Sequence, residues 1–188
     1  MKRISKILIL TVFILGTAFN SFSANGPDDP AGKGNGILGF GFGPGIAWYG
    51  GSGFGPAIVA HYDHSLWEVG PGTISIGGLI GTSFFSHTYG PDDYKDHWVN
   101  IGFVGRAAYH YGWNVPGLDT YAGFGAGTYM SMYSDDGDDN NKDDFHIGFL
   151  PTAFFGGSYF FNDMIGINAE TGYNFTYISF GVNFRFGK

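Results

Sequence analysis

The chain has 188 residues, a formal net charge of −7 and no cysteine, which leaves no disulfide framework, no thiolate chemistry and no lipid-anchored start. Nearly a fifth of the residues are aromatic and 34 are glycine, while no long window past residue 24 carries apolar residues at helical spacing, so an all-β chain is expected. The acidic balance argues against nucleic acid as a partner.

Residues 1–24 open with Lys2, Arg3 and Lys6, continue with an apolar run over 7–19, and end in small residues at Ser21, Ser23 and Ala24. This is the pattern of a cleaved secretory signal peptide, with cleavage after Ser23 giving a small-x-small site, and the run is shorter than the ~20 apolar residues a spanning helix needs. Loss of the three basic residues takes the net charge to about −10 and leaves one domain's worth of chain, about 164 residues. Residues 25–35 (NGPDDPAGKGN) hold nothing to bury and read as a flexible periplasmic leader, ahead of a barrel over 36–188.

Eight segments of period-2 alternation follow. The first, 36–48, sets Leu38, Phe40, Phe42, Ile46 and Trp48 against a face that is mostly glycine. A G-x-G-x-x-G match over 34–39 lies between a leader and a strand, which is the wrong context for a dinucleotide site. The second, 54–63, separates Pro56, Ile58, Ala60 and Tyr62 from His61 and Asp63; the third, 73–87, separates Ile74, Ile76, Ile80 and Phe84 from Ser75, Gly77, Gly81 and Ser83. In the fourth, 97–111, Val99, Ile101, Phe103, Ala107 and Tyr109 oppose Asn100, Arg106 and His110. The fifth, 118–132, alternates Ala122, Phe124, Ala126 and Met130 with Tyr121, Tyr129 and glycines, and the sixth, 145–160, aligns Phe145, Ile147, Phe149, Ala153, Phe155 and Tyr159. The seventh, 165–172, sets Ile165, Ile167 and Ala169 against Asn168 and Glu170. The last, 177–186, puts Ile178, Phe180, Val182, Phe184 and Phe186 on one face and Arg185 on the other, and should pair with the first strand around 37–46 to close the sheet.

An even strand count with both termini on one side predicts short connections at 65–72, 112–117 and 162–163 and longer polar ones at 88–96 and 134–144, with short outer loops at 49–53 and 173–176. The charged residues Arg106, Glu170 and Arg185 sit in mid-strand on the polar face, which suits a packed polar lumen. The other face is apolar, and aromatic residues (Trp48, Tyr62, Tyr89, Trp98, Tyr111, Trp113, Tyr133, Tyr159) gather near strand ends as interfacial girdles do. The closing row Ile178, Phe180, Val182, Phe184, Phe186 should therefore meet lipid. A closed barrel satisfies every backbone group in a bilayer.

Gly55-Pro56-Ala57-Ile58 leading to Asp63, Gly77-Gly78-Leu79-Ile80-Gly81, Ala107-Ala108-Tyr109-His110-Tyr111, Leu118-Asp119-Thr120-Tyr121-Ala122-Gly123 and Ala169-Glu170-Thr171-Gly172-Tyr173 before the closing strand span nearly the whole mature chain. In this order they resemble the small eight-stranded outer-membrane β-barrels of the OmpA-transmembrane-domain or OmpX type, in the form common in Bacteroidota. The resemblance implies an eight-stranded antiparallel up-and-down transmembrane β-barrel in the outer membrane of a Gram-negative cell, inserted by the barrel-assembly machinery.

Three constellations bear on function. Parity turns Arg106 and Glu170 inward, which predicts a lumen ionic network also drawing on Asp63, Arg185, His61, His110 and Asn168; buried charges need such partners. The acidic stretch Asp135, Asp136, Asp138, Asp139, Asp143 and Asp144 offers oxygen ligands for Ca²⁺ but lacks EF-hand spacing, so a solvated loop is the simpler reading and no other cofactor is expected. His61 to Ser65 and Ser86-His87 hold serine and histidine together, yet strand neighbours face opposite ways, and neither a G-x-S-x-G elbow nor an H-E-x-x-H motif is present. The expectation is a non-enzymatic barrel with a structural or interaction role, in contact with outer-membrane lipid and with another outer-membrane protein as its candidate partner. The alternatives are an accessory subunit of a larger outer-membrane complex, a narrow pore and a lipid A-modifying enzyme.

Overall fold

The structure, a computed structural model, describes residues 28–46, 55–89, 94–135 and 144–187. The expected signal segment 1–24, Trp48, Asp136, Asp138, Asp139 and Asp143 lie outside these residues. The described residues form eight strands: β1 Gly36–Pro44, β2 Pro56–Val69, β3 Gly72–Tyr89, β4 Tyr94–Tyr111, β5 Leu118–Asp135, β6 Asp144–Phe160, β7 Ile165–Tyr173 and β8 Ile178–Phe186. Each pairs antiparallel with the next, and β8 returns to β1 from Gly36↔Phe186 to Phe42↔Phe180, closing an up-and-down barrel. Closure is what removes the sheet's two outermost edges.

The alternation sets the two faces. Phe40, Phe42, Ile58, Ile80, Phe103, Phe124, Phe149, Phe155, Phe180 and Val182 are all exposed on the outer wall, Phe124 at 73%. Between them, small and polar side chains turn inward: Ser75, Ser83, Asn100, Thr152, Ser158, Asn168 and Asn183 are buried. The closing row expected to face outward does so, from Ile178 to Phe186, with Ser179, Gly181, Asn183 and Arg185 on the inner side.

Several boundaries differ from the sequence reading. β1 ends at Pro44, and Ile46 is buried instead of continuing the outer row, because Gly45 bridges Thr176 and the Ile46 N–H donates to the Phe175 carbonyl as the chain crosses the rim. β2 runs on to Val69, so its connection is Gly70-Pro71 and not 65–72; a bulge between Ser65 and Trp67 keeps the longer ladder in register. Gly70 takes φ 60° ahead of a proline, the arrangement a II′ hairpin turn requires. Trp98 faces inward at 7% exposure with its ring 5.3 Å from that of Tyr133, so neither belongs to an outer girdle. Trp113 and Tyr177 are exposed at opposite ends of the wall.

Wall height is uneven. β3, β4 and β5 have 18 residues and β6 has 17, against 9 in β1, β7 and β8. The three connections at 70–71, 112–117 and 161–164 define a turn end of the barrel; the other end carries the loops.

Residues 28–35, expected to have nothing to bury, pack across the turn end. Pro30 and Ala31 are fully buried, and Ala31 joins Ile37 and Phe160 in one apolar cluster. Two turns (Gly32 N–H to Asp29 carbonyl, Asn35 N–H to Gly32 carbonyl) fold the segment, and Ser65 N–H to Asn35 carbonyl and Arg185 Nε–H to Pro30 carbonyl anchor it. A small flat Pro-Ala pair fits a mouth whose width is fixed by eight strands.

Candidate functional site

The lumen is filled in layers. Below the loop end, Phe175 from the 174–177 connection turns inward at 0% exposure and packs with Val59, Leu79, Val104, Tyr129 and Leu150. Gly81 and Gly102 face its ring, and a Cβ at either would collide with it. This stopper and the Pro30–Ala31 cluster cap a polar interior from both ends.

Directly beneath the stopper lies the ion network. Arg106 on β4 meets Glu170 on β7 through two donors, Nη2–H to Oε2 at 2.9 Å and Nη1–H to Oε1 at 3.4 Å. Its Nε lies 3.1 Å from Asp63 Oδ1 on β2, at ion-pair distance but off hydrogen-bond alignment. The guanidinium carbon sits 3.8 Å from the centroid of the Phe154 ring, and Asn174 Nδ2–H donates to Glu170 Oε1 at 3.1 Å. One cation thus faces two carboxylates and an aromatic face, the planar bidentate geometry for which arginine is suited. His61 Nε2 stands 3.9 Å from Asp63 Oδ2 at the edge of the group.

The structure divides the other expected members of the network. His110 instead holds Asp119 and Ser75: its Nδ1 lies 3.0 Å from Asp119 Oδ2 and its Nε2 2.9 Å from Ser75 Oγ. The neutral tautomer protonated on Nδ1 satisfies both contacts, donating to the carboxylate and accepting the hydroxyl proton. Asn168 Nδ2–H donates to Asn183 Oδ1, and Asn183 Nδ2–H to Ser158 Oγ, each at 2.8 Å. Arg185 belongs to neither group; it lies near the turn end, where Nε–H donates to Pro30 and Nη1–H to the Asp163 carbonyl.

Asp119, Asn174, Phe154 and Phe175 were not singled out by sequence reasoning. Asp119 carried a usable signal, since its parity on β5 matches Tyr121. Phe175 carried none, because an aromatic residue in a turn does not announce its direction.

Ser75–His110–Asp119 has the connectivity of a hydrolytic triad. Its chemistry is blocked by its setting: Ser75 is 0% exposed, and its flanking backbone lies within the paired ladders of β2, β3 and β4. No substrate carbonyl reaches Oγ there, and ladder-bound amides offer no oxyanion site. On the outer wall, an apolar groove of about 540 Å³ lies over Gly78 and Gly105 between Leu38, Tyr62, Ile80 and Phe103, without a polar cluster. Among the described residues, no group of three or more His, Asp or Glu could hold a metal ion. Asp135 and Asp144 close the strand ends on either side of the acidic loop.

No protein-family model matches the sequence, and no curated protein matches it significantly. Solved structures do match. Ail, the attachment invasion locus protein of Yersinia pestis, in complex with the heparin analogue sucrose octasulfate, aligns over 82% of this chain and 99% of its own at 12% identity, with a TM-score of 0.54. Ail without that ligand aligns over 82% and 99% at 11% identity, with a TM-score of 0.49. Neisserial surface protein A aligns over 83% of this chain and 98% of its own at 13% identity, with a TM-score of 0.43. By the first of these alignments, the chain has the fold of the small eight-stranded outer-membrane β-barrels.

Proposed function

We propose that this protein is an integral outer-membrane β-barrel that neither conducts nor catalyses and acts through its surfaces, structurally or by binding another protein. The observation that carries this reading is the doubly capped lumen: Phe175 and the Pro30–Ala31 cluster close off an interior whose charges are spent on one another. A lumen so filled leaves the outer wall and the loop end as working surfaces. The apolar wall suits lipid, and eight closed strands leave no open ladder within the hydrocarbon. With the turn end and residues 28–35 on the periplasmic side, the acidic loops face outward, after export on the signal peptide and insertion by the barrel-assembly machinery.

The charge at the loop end separates this chain from a receptor for sulfated sugars. A polysulfate calls for clustered basic side chains. The stretch 134–144 instead carries Asp135, Asp136, Asp138, Asp139, Asp143 and Asp144 with Lys142 alone, so its partner is neutral or basic, and Ca²⁺ is the metal this loop would take.

Planar-bilayer recording of the purified protein tests the reading. Silence is the expected result, and stable single-channel steps lost on Arg106→Ala would replace it with a pore. Co-purification in mild detergent then asks whether the barrel travels alone or as an accessory subunit.

A further inference from the structure

Gly81 and Gly102 make room for Phe175, whereas the outward-facing Gly78 on β3 and Gly105 on β4 make room for nothing in their own chain. Beyond its chain neighbours, a Cβ at Gly78 would meet only the Val104 carbonyl oxygen, at 3.5 Å, and one at Gly105 only that of Ala126, at 3.8 Å. Neither takes a positive φ. A glycine inside a strand gives up backbone entropy and side-chain packing, and it often marks where another backbone or a ligand comes close. Paired directly across the ladder, these two form the bare floor of the outer-wall groove of about 540 Å³ beside Ile80 and Phe103.

The same wall carries a side chain of the shape this groove would take. Phe124 on β5, at 73%, is the most exposed large apolar residue among those described. Its height relative to the groove follows from the strand tilt. Tyr111, Thr120, Gly157, Ala169, Phe180 and Phe42 are ladder partners in one row, which starts at the turn end of β4 and finishes at the loop end of β1. Rows therefore climb toward the loops as strand number rises. At a tilt of about 40° and about 4.8 Å between strands, two steps along a row are equivalent to about 8 Å of strand. The row from Gly78 passes Gly105 to Ala126, and Phe124 lies two residues back toward the turn end, about 7 Å. Climb and setback nearly cancel, so Gly78 and Phe124 stand at one height on opposite flanks of β4. Between them β4 presents only Gly105 and Ala107.

We infer that the β3–β5 face is the contact between two copies of this barrel, related by a two-fold axis along the membrane normal that runs past Gly105 and Ala107. Such an axis carries Phe124 of each copy onto Gly78 of the other, the self-complementary pairing a two-fold contact requires. The small residues on the axis let the two walls close to backbone contact, and close packing drives association where lipid supplies no hydrophobic force. Ile76, Ile80, Phe103, Tyr109 and Phe124, taken at roughly 200 Å² per side chain and their fractional exposures, offer about 500 Å² per copy. The total of about 1,000 Å² reaches the threshold of a specific interface. The inference rests on the membrane-spanning reading above.

The test is sedimentation equilibrium of the full barrel in density-matched detergent micelles, joined to self-crosslinking of single-cysteine variants in lipid vesicles. The unmodified chain should sediment as a monomer–dimer equilibrium. Gly78→Phe fills the seat and Phe124→Gly removes the ring, and each should raise the dimer Kd about tenfold. The two changes together exchange ring and seat and should return the Kd to within about threefold of the starting value. Far-UV circular dichroism checks that each variant keeps its barrel. Because the chain has no cysteine of its own, copper phenanthroline should link Ala107→Cys copies to one another and leave Val182→Cys, on β8 across the barrel, unlinked. A monomer at every concentration, as an acyl chain filling the groove would give, defeats the inference. So does a dimer indifferent to both single changes, a double variant no tighter than the single ones, or linking through Val182→Cys as ready as through Ala107→Cys. A chain that alkaline carbonate strips from membranes would instead defeat the membrane-spanning reading.

Discussion

Arg106 and Glu170 stand 64 positions apart in the chain and meet in the middle of the lumen through two donors of one guanidinium, the shorter bond 2.9 Å long. Removing Arg106 leaves two buried carboxylates, Glu170 and Asp63, without their cation, and removing Glu170 leaves Arg106 with Asp63 alone. Arg106→Ala or Glu170→Ala should cost about 3–5 kcal/mol in urea unfolding from lipid vesicles, and the double variant less than the sum of the two. Single losses below about 1 kcal/mol would mean that the ions are solvated.

Phe175 fills the space left by Gly81 and Gly102. Phe175→Ala should lower unfolding stability by about 3–5 kcal/mol through the cavity it opens among Val59, Leu79 and Leu150, while the Arg106 network holds the bilayer conductance at zero. Conductance appearing with this single change would assign the whole seal to one ring.

Ser75 should behave as a packing hydroxyl. A fluorophosphonate probe should leave it unlabelled in the folded barrel, and Asp119→Ala should cost about 1–3 kcal/mol in stability by leaving His110 Nδ1 without its acceptor while Nε2 keeps Ser75. Labelling that disappears with Ser75→Ala would revive catalysis.

Asp29, in the segment across the turn end, has its carboxyl held above the ordinary value of 3.8, first by burial and then by the nearby charge of Asp119. The folded state therefore binds this proton more tightly than the released segment does. Docking is favoured below the raised value and weakens as pH climbs through it. Protease protection of residues 28–35 should rise on acidification toward 4, and Asp29→Asn should give that protection at neutral pH and flatten its pH dependence. Protection that falls on acidification would reverse the sign.

How much of this could be read from residues alone follows the range of each signal. Period-2 alternation is local, so the inner and outer rows of β2 to β8 were legible, and parity alone turned Arg106 and Glu170 to one side. Which inward groups meet depends on the register of each hairpin and on how the chain crosses the barrel's ends, so His110 pairing with Asp119 and Arg185 reaching Pro30 were not. Ile46 and Trp98 fail the simple reading for related reasons: one sits where the strand breaks at the rim, the other where an aromatic side chain fills the inside of the taller wall. The burial of Pro30 and Ala31 was hidden because a Pro- and Gly-rich stretch looks disordered until a mouth of matching width exists to receive it.

The short seam between Gly36–Phe42 and Phe180–Phe186 bears on assembly. The tall β3–β4 and β5–β6 hairpins join neighbours in sequence and can zip from their loops, whereas the seam must bring together the first and last strands with the shortest ladders and the largest loop-closure cost. On the proposed membrane-spanning reading, insertion ends at this seam and mechanical extraction begins there: a disulfide from Phe40→Cys and Val182→Cys, directly opposed across it on the outer wall, should lock the barrel against both.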